Sequence, residues 1–397
     1  MNRLKKDAEI SNPSADHAKP RRVLIVAGEA SADLHGANLV RAMKDLDPGT
    51  TFCGIGGKNM EEAGVRILFT SSDMAVVGIT EVFSKARLIL KASRTLKSIL
   101  KRRRPDLIIL IDYPDFNINL ARTAKRCGVP VLYYISPQVW AWRVGRVRKI
   151  ARRVDHMAVI LPFEEDFYRQ RGVTVEYVGH PLLDAVPEGL DRTAVRRDMN
   201  IGRDDPVLAV LPGSRGEEVR NLLPIMIDAA EILSSRLPAL KCIIPIAPTI
   251  SPETVKAMIR PSNLDIRVCQ GKTYRVLTAS DLCFVASGTA TLEAGILGVP
   301  MVIVYRVSPI SFWIAKRVIN VDRIGLVNLV TDAPFVPELI QGDVTPQRLS
   351  EEAMAILEGG GARENMLKGY RDLKEKLGKG TPSRRTAEIA LDMMNQH

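Results

Sequence analysis

The sequence is short of the residues that secreted, metal-binding and membrane-spanning proteins depend on. Five cysteines are scattered through 397 residues, at Cys53, Cys127, Cys242, Cys269 and Cys283, odd in number and never as a Cys-x-x-Cys pair. This spacing excludes a disulfide framework or a thiol zinc site and fits a reducing compartment. Histidine is equally scarce at five, none spaced with a second ligand, so no metal is expected. No uninterrupted apolar run approaches the ~18 residues that a spanning helix needs. Residues 1–20 are polar with Pro and Ser and read as a loose tail instead of a signal peptide. Aromatic content is 5% and no RNA-binding signature is present, so nucleic acid is not expected as a partner.

Acidic residues are missing from two long stretches. Val82–Pro105 carries Lys85, Arg87, Lys91, Arg94, Lys97, Lys101, Arg102, Arg103 and Arg104 without a carboxylate. From Phe116 to Val154 there is again no acid, and Arg143, Arg146, Arg148, Lys149, Arg152 and Arg153 cluster. These fields account for much of the net charge of +11 and would attract anionic lipid or acidic substrates. Within the first stretch Ile79, Val82, Phe83, Ala86, Ile89 and Leu90 form an apolar stripe at helical spacing. It reads either as a crossover helix covering a sheet or as a basic amphipathic surface for an anionic membrane.

What is abundant is the alternation of buried strands and helices. Strand-like runs fall at Arg21–Ala27, Thr51–Ile55, Asp106–Ile111, Pro130–Ile135 and His156–Leu161. A second series falls at Val207–Leu211, Lys241–Ile246, Asp265–Cys269, Asp281–Ala286 and Met301–Tyr305. Two doubly wound α/β domains follow, with a crevice at the carboxyl ends of both sheets. The first is expected over residues 21–184, the second over 185–361, with terminal helices over 362–397.

Four turns carry the chemistry. In Phe284–Arg306 a strand leads through Ser287, Gly288, Thr289 and Ala290 into a helix, which stops at Gly298 and Pro300. Thr289 and Thr291 are placed to cap it, and its N-terminus suits a phosphate. Glu293 lies about one turn in, where a carboxylate can accept both ribose hydroxyls. After Val207–Leu211 comes Pro212-Gly213-Ser214-Arg215-Gly216, whose glycines admit an anion beside the Arg215 fork. Neither turn is a P-loop, and Gly54–Gly57 lacks the third glycine of the dinucleotide fingerprint. Asp112 follows the third strand run; Asp115 can cap the next helix, which makes Asp112 the better candidate for a general base, the alternative being a turn-stabilising carboxylate. Glu29, Ser31 and Asp33 sit at the exit of the first strand, to bind polar substrate groups or cap the next helix. Trp140 and Trp142 lie beside basic residues and suit either a sugar face or a core.

Taken in order, GEASAD (28–33), IDYPDFN (111–117), SPQVWAWR (136–143), LPFE (161–164), GHPL (179–182), LPGSRGEEV (211–219) and ASGTATLE (286–293) closely resemble the lipid-A-disaccharide synthase family. The resemblance runs from about Arg22 to the C-terminal helices. It implies an inverting bacterial glycosyltransferase of the glycosyltransferase-B fold, without a cofactor. The implied substrates are UDP-2,3-diacylglucosamine and 2,3-diacylglucosamine 1-phosphate (lipid X), which give the β-1,6-linked disaccharide 1-phosphate and UDP. It further implies Asp112 as the acid/base residue, and Arg215, Ser287–Ala290, Glu293 and Asn328 around the nucleotide. The family's inner-membrane surface raises Val82, Phe83, Ile89 and Leu90 to membrane-facing candidates on a cytoplasmic, peripherally bound protein. The chain departs from the family at Ala32, where glycine is usual, and at Tyr113, where a smaller residue is common. No DxD-like pair accompanies the phosphate turns, so the helix dipole and arginine are expected in place of Mg²⁺. The rivals are a UDP-N-acetylglucosamine 2-epimerase of the same fold, needing no acceptor, and a non-catalytic nucleotide-sugar or lipid-binding protein.

Overall fold

The computed structural model describes residues 20–74, 79–137, 139–140, 144–187, 189–259, 264–308, 323–378 and 380–396. The side chains of Ala30, Asp73, residues 79–86 and Val144 are outside that description. Residues 1–19, Gln138, Trp142 and Arg143 also lie outside it.

Seven strands form the first sheet: β1 (Arg22–Ala27), β2 (Thr51–Gly56), β3 (Val65–Thr70), β4 (Leu107–Ile111), β5 (Val131–Tyr134), β6 (His156–Val159) and β7 (Val175–Tyr177). Their spatial order is β3-β2-β1-β4-β5-β6-β7 and every pairing is parallel. Six more form the second: β8 (Val207–Leu211), β9 (Lys241–Ile246), β10 (Asp265–Gln270), β11 (Leu282–Ala286), β12 (Met301–Tyr305) and β13 (Glu338–Ile340). These lie parallel in the order β10-β9-β8-β11-β12-β13.

Parallel strands must be covered on both faces, which explains their unbroken apolar runs. In β4, Leu107, Ile109 and Ile111 join one core layer while Ile108 and Leu110 join the other. The helix Ile79–Arg103 covers the second of these layers with Ala92, Leu96 and Leu100. On the opposite face the helix Ala30–Leu46 lies against the last helix of the chain, Pro382–Asn395. Ala387, Ile389, Ala390, Met393 and Met394 of that last helix are buried in the first domain's core. The chain therefore returns to its first domain after completing the second. The crossing is pinned by the Asp184 carboxylate, which accepts from the Ser383 amide at 3.0 Å and its hydroxyl at 2.6 Å. The His180 amide also donates to the Leu377 carbonyl at 3.1 Å.

In each sheet the strand order reverses once, between β1 and β4 and between β8 and β11. At such a point the helices leave in opposite directions and open a crevice beyond the carboxyl ends. Ala27 is paired with Ile111 and Leu211 with Val285, so the four turns identified from sequence emerge at these two switch points.

Candidate active site at the two switch points

Asp112 follows the last residue of β4 with φ 45°, and Tyr113 follows it with φ 49°. Two successive non-glycine residues in the left-handed region cost energy, so the surroundings must hold them. The Asp112 carbonyl accepts from Asn117 Nδ2 and from the Tyr133 hydroxyl, both at 2.6 Å. The Tyr113 ring lies on Gly28, where an added Cβ would sit 2.4 Å from a ring carbon, and its hydroxyl donates to the Met74 carbonyl at 3.1 Å. Gly28 of the first motif thus makes room for the tyrosine that departs from the family pattern. Ala32, the other departure, is buried inside the helix Ala30–Leu46 and does not have a positive φ.

The Asp112 carboxyl is pushed up from 3.8 to about 6, first by burial and then by the nearby Glu29, against the pull of the Tyr113 amide. A carboxylate of that basicity can take a proton from an alcohol as the alcohol attacks. Glu29, whose charge acts on it, is exposed, as is Ser31. Asp33 is not available: it is 4% exposed, and its oxygens accept from the amides of Gly57, Asn59 and Met60 and from Asn59 Nδ2, at 2.6–3.1 Å. Asp33, expected among the acceptor-binding residues, here fixes the β2 exit loop. Asp115 likewise does not cap its helix, which starts at Pro114 with Tyr113 as the cap; it pairs with Arg146 at 2.7 Å.

Across the crevice, Gly213 adopts φ 111°, and a Cβ there would meet the Glu218 carboxylate at 2.4 Å. Glu218 accepts from the amides of Ser214 and Arg215 at 3.2 and 3.3 Å, a capping arrangement for the helix Gly216–Arg236. Arg215 is exposed, its guanidinium 3.6 Å from Glu218. Such an exposed pair is weak, so the fork can turn to an incoming anion.

The Ser287 amide is bonded to the Val304 carbonyl and its hydroxyl to the Ile324 carbonyl, at 3.0 and 2.9 Å. These bonds engage Ser287 within the protein, next to the Gly288, Thr289 and Ala290 backbone of the expected cradle. Gly288, with φ 153°, is the helix cap that Thr289 and Thr291 were expected to supply; Thr291 Oγ1 returns to its carbonyl at 2.8 Å. Gly298 has the left-handed φ of 72° its position demands. Glu293, pushed up by burial, accepts from the Tyr274 hydroxyl at 3.1 Å. Tyr274 was not anticipated.

Asn328 is fully buried, and its amide spends every hydrogen-bonding position on protein. Nδ2 donates to the Val336 carbonyl and Glu338 at 2.8 and 2.7 Å, and Oδ1 accepts from the Phe335 and Val336 amides at 3.2 and 3.1 Å. The Asn328 side chain, expected at the nucleotide, is here bonded to protein groups. Glu338, unforeseen, also accepts from the amides of Ile324 and Gly325 at 2.9 and 3.1 Å. Trp140 packs edge-on against Phe163 with centroids 4.9 Å apart, and its indole N–H donates to buried Glu164 at 3.0 Å. It completes a core instead of offering a sugar-stacking face.

An acid at one switch point facing anion-suited turns at the other defines a two-domain nucleotide-sugar enzyme architecture, the glycosyltransferase-B fold. A UDP-N-acetylglucosamine 2-epimerase from Neisseria meningitidis shares it with a TM-score of 0.63 at 13% identity, over 95% of this chain and all of that one. A glycosyltransferase from Rickettsia africae does so with a TM-score of 0.59 at 13% identity, over 96% and 100%. At these identities the likeness is one of fold. The family is set by sequence: residues 23–392 match the lipid-A-disaccharide synthetase model, and the chain belongs to that family. The lipid-A-disaccharide synthase of Syntrophus aciditrophicus is 48% identical over 94% of this chain and 98% of its own length. That of Myxococcus xanthus is 45% identical over the same shares.

Proposed function

We propose that this protein is an inverting glycosyltransferase that joins UDP-2,3-diacylglucosamine to 2,3-diacylglucosamine 1-phosphate and forms the lipid A disaccharide 1-phosphate and UDP. Family membership supports the reaction class, and the observation that carries the mechanism is the Asp112 carboxyl, raised to about 6 at the β1–β4 switch point.

Asp112 takes the proton of the acceptor's 6-hydroxyl as that oxygen attacks the anomeric carbon of the donor. The new O6–C1 bond forms as the C1–O bond to UDP breaks on the opposite face, so an α-linked donor gives a β-linked product. Charge leaving with the diphosphate is received by the Thr289 and Ala290 amides at their helix start and by Arg215. Ser214, Gly213 and Gly216 let the phosphates approach, and Glu293 accepts the ribose hydroxyls. Glu29 and Ser31 orient the acceptor sugar beside Asp112. Closure of the two domains excludes water that would hydrolyse the donor.

Both substrates carry acyl chains and reside in a bilayer, so the protein works from the cytoplasmic surface of the inner membrane. Leu90, 54% exposed among Arg87, Lys91 and Arg94, supports this reading. Ile89 instead packs partly into the first domain's core, and the side chains of Val82 and Phe83 lie outside the described residues.

The test is incubation with UDP-diacylglucosamine, with and without lipid X. UDP release and disaccharide formation only when lipid X is present are expected. A 2-epimerised UDP-sugar formed without acceptor would assign the protein to the activity of its epimerase fold neighbours. Binding without turnover would leave a carrier.

A further inference from the structure

The helix Ile79–Arg103 covers its sheet with Ala92, Leu96 and Leu100, all fully buried. One stripe further round, Thr95, Ser98, Ile99 and Arg102 recur at the three- and four-residue spacing of a single helix face. That face meets Cys53 of β2 and Arg66 and Leu68 of edge strand β3 around a groove of about 460 Å³, which Arg103 also lines. A helix face turned toward a sheet normally carries apolar side chains; this one carries two hydroxyls and an arginine. Arg66, Arg102 and Arg103 are exposed and have no ion-pair or hydrogen-bond partner among the described residues. Arg66 and Arg103 both act on the half-buried Cys53 thiol, pulling its pKa down against a larger upward push from burial.

Three unpaired guanidinium groups held together repel one another and gain from an anion between them. Their planar donors, together with the Thr95 and Ser98 hydroxyls, outnumber what one carboxylate accepts and suit the three terminal oxygens of a phosphomonoester. The groove also lies away from the crevice. Arg66 and Cys53 are in the amino-terminal halves of their strands and Arg102 and Arg103 precede β4, whereas Asp112 follows its carboxyl end. We propose that this groove is a second ligand site of the protein, which binds a phosphomonoester with a small polar head.

Cys53 reports occupancy directly. Maleimide alkylation of the full chain is followed peptide by peptide at constant ionic strength, with glycerol 3-phosphate, inorganic phosphate or chloride added. Glycerol 3-phosphate is expected to slow Cys53 labelling saturably by ~3-fold or more, by shielding the thiol and cancelling the field that favours the thiolate. Labelling of Cys127 should not change. In an Arg66→Gln/Arg103→Gln variant the protection should vanish while the melting temperature stays at the wild-type value. Vesicles containing phosphatidic acid separate the two sources of such a group. Protection that soluble glycerol 3-phosphate reverses assigns the groove to a lipid headgroup; protection by the soluble ester alone assigns it to a free metabolite. Equal labelling in phosphate ester and chloride overturns the site, as does protection that survives in the double variant.

Discussion

Asp112 combines a strained backbone with an unfavourable place for a charge, and both can be measured. Its raised pKa means that the folded chain favours the protonated form. The associated stability is fully present below the ordinary 3.8 and is lost as pH rises through about 6. Discounted for partial exposure, the ionised carboxylate costs the fold about 1–2 kcal/mol at pH 8. An asparagine side chain at this position would keep the left-handed backbone, which that residue type tolerates. Asp112→Asn is therefore expected to lower turnover by ~10²-fold or more. It should also raise the denaturation midpoint at pH 8, a gain that fades toward pH 4. Wild-type turnover, or a gain independent of pH, would remove Asp112 from the base role. The wild-type kcat/KM should in turn fall below pH of about 6, with the ionised base. On the opposite wall, Arg215→Ala should cost roughly 1.5–3 kcal/mol in transition-state binding, read from kcat/KM, with no change in melting temperature. Asp112 was legible because it ends an apolar strand and has no cap to make. Asp33 was not, because its partners at Gly57–Met60 come near only after folding.

The βα turns were readable because each joins an unbroken apolar strand to a glycine-bearing helix start, and both patterns are local. Of the four edge strands, β10 was read from the sequence although it is only partly buried, whereas β3, β7 and β13 were not: they too are only partly buried, and none is apolar along its whole length. The same limit hid the role of Asn328. It sits on the short helix Leu326–Thr331 and ties that helix to the backbone of Phe335–Val336 and to Glu338 at the head of β13. Asn328→Ala leaves the buried Val336 amide and carbonyl without their side-chain partner and removes one of three donors to Glu338, at a cost of ~2–4 kcal/mol. A lower melting temperature with near-normal UDP affinity in calorimetry is expected. A stable variant that no longer binds UDP would restore Asn328 to the nucleotide site.

At the scale of the molecule, an amphipathic pattern says that a helix face is covered but not by what. The pattern of Pro382–Asn395 could not reveal that its apolar face returns to the first domain. The helix Ile79–Arg103 poses the same question. Its inner face is settled by Ala92, Leu96 and Leu100, and its outer face presents Arg87, Leu90, Lys91 and Arg94 at helical spacing, followed by exposed Lys101–Arg104. Each basic residue at an anionic surface contributes ~1 kcal/mol, fading within a Debye length, whereas apolar insertion does not weaken with salt. The protein should sediment with anionic vesicles at low salt and be partly released at high salt. Leu90→Ser should keep the melting temperature and reduce the fraction retained at high salt. Ile89→Ser should instead lower the melting temperature, because Ile89 packs toward the core. Had both residues merely covered the sheet, both variants would be destabilised and neither would alter binding by the folded protein. Leu90→Ser that binds vesicles like the wild type at every salt concentration would therefore remove this face from the membrane contact.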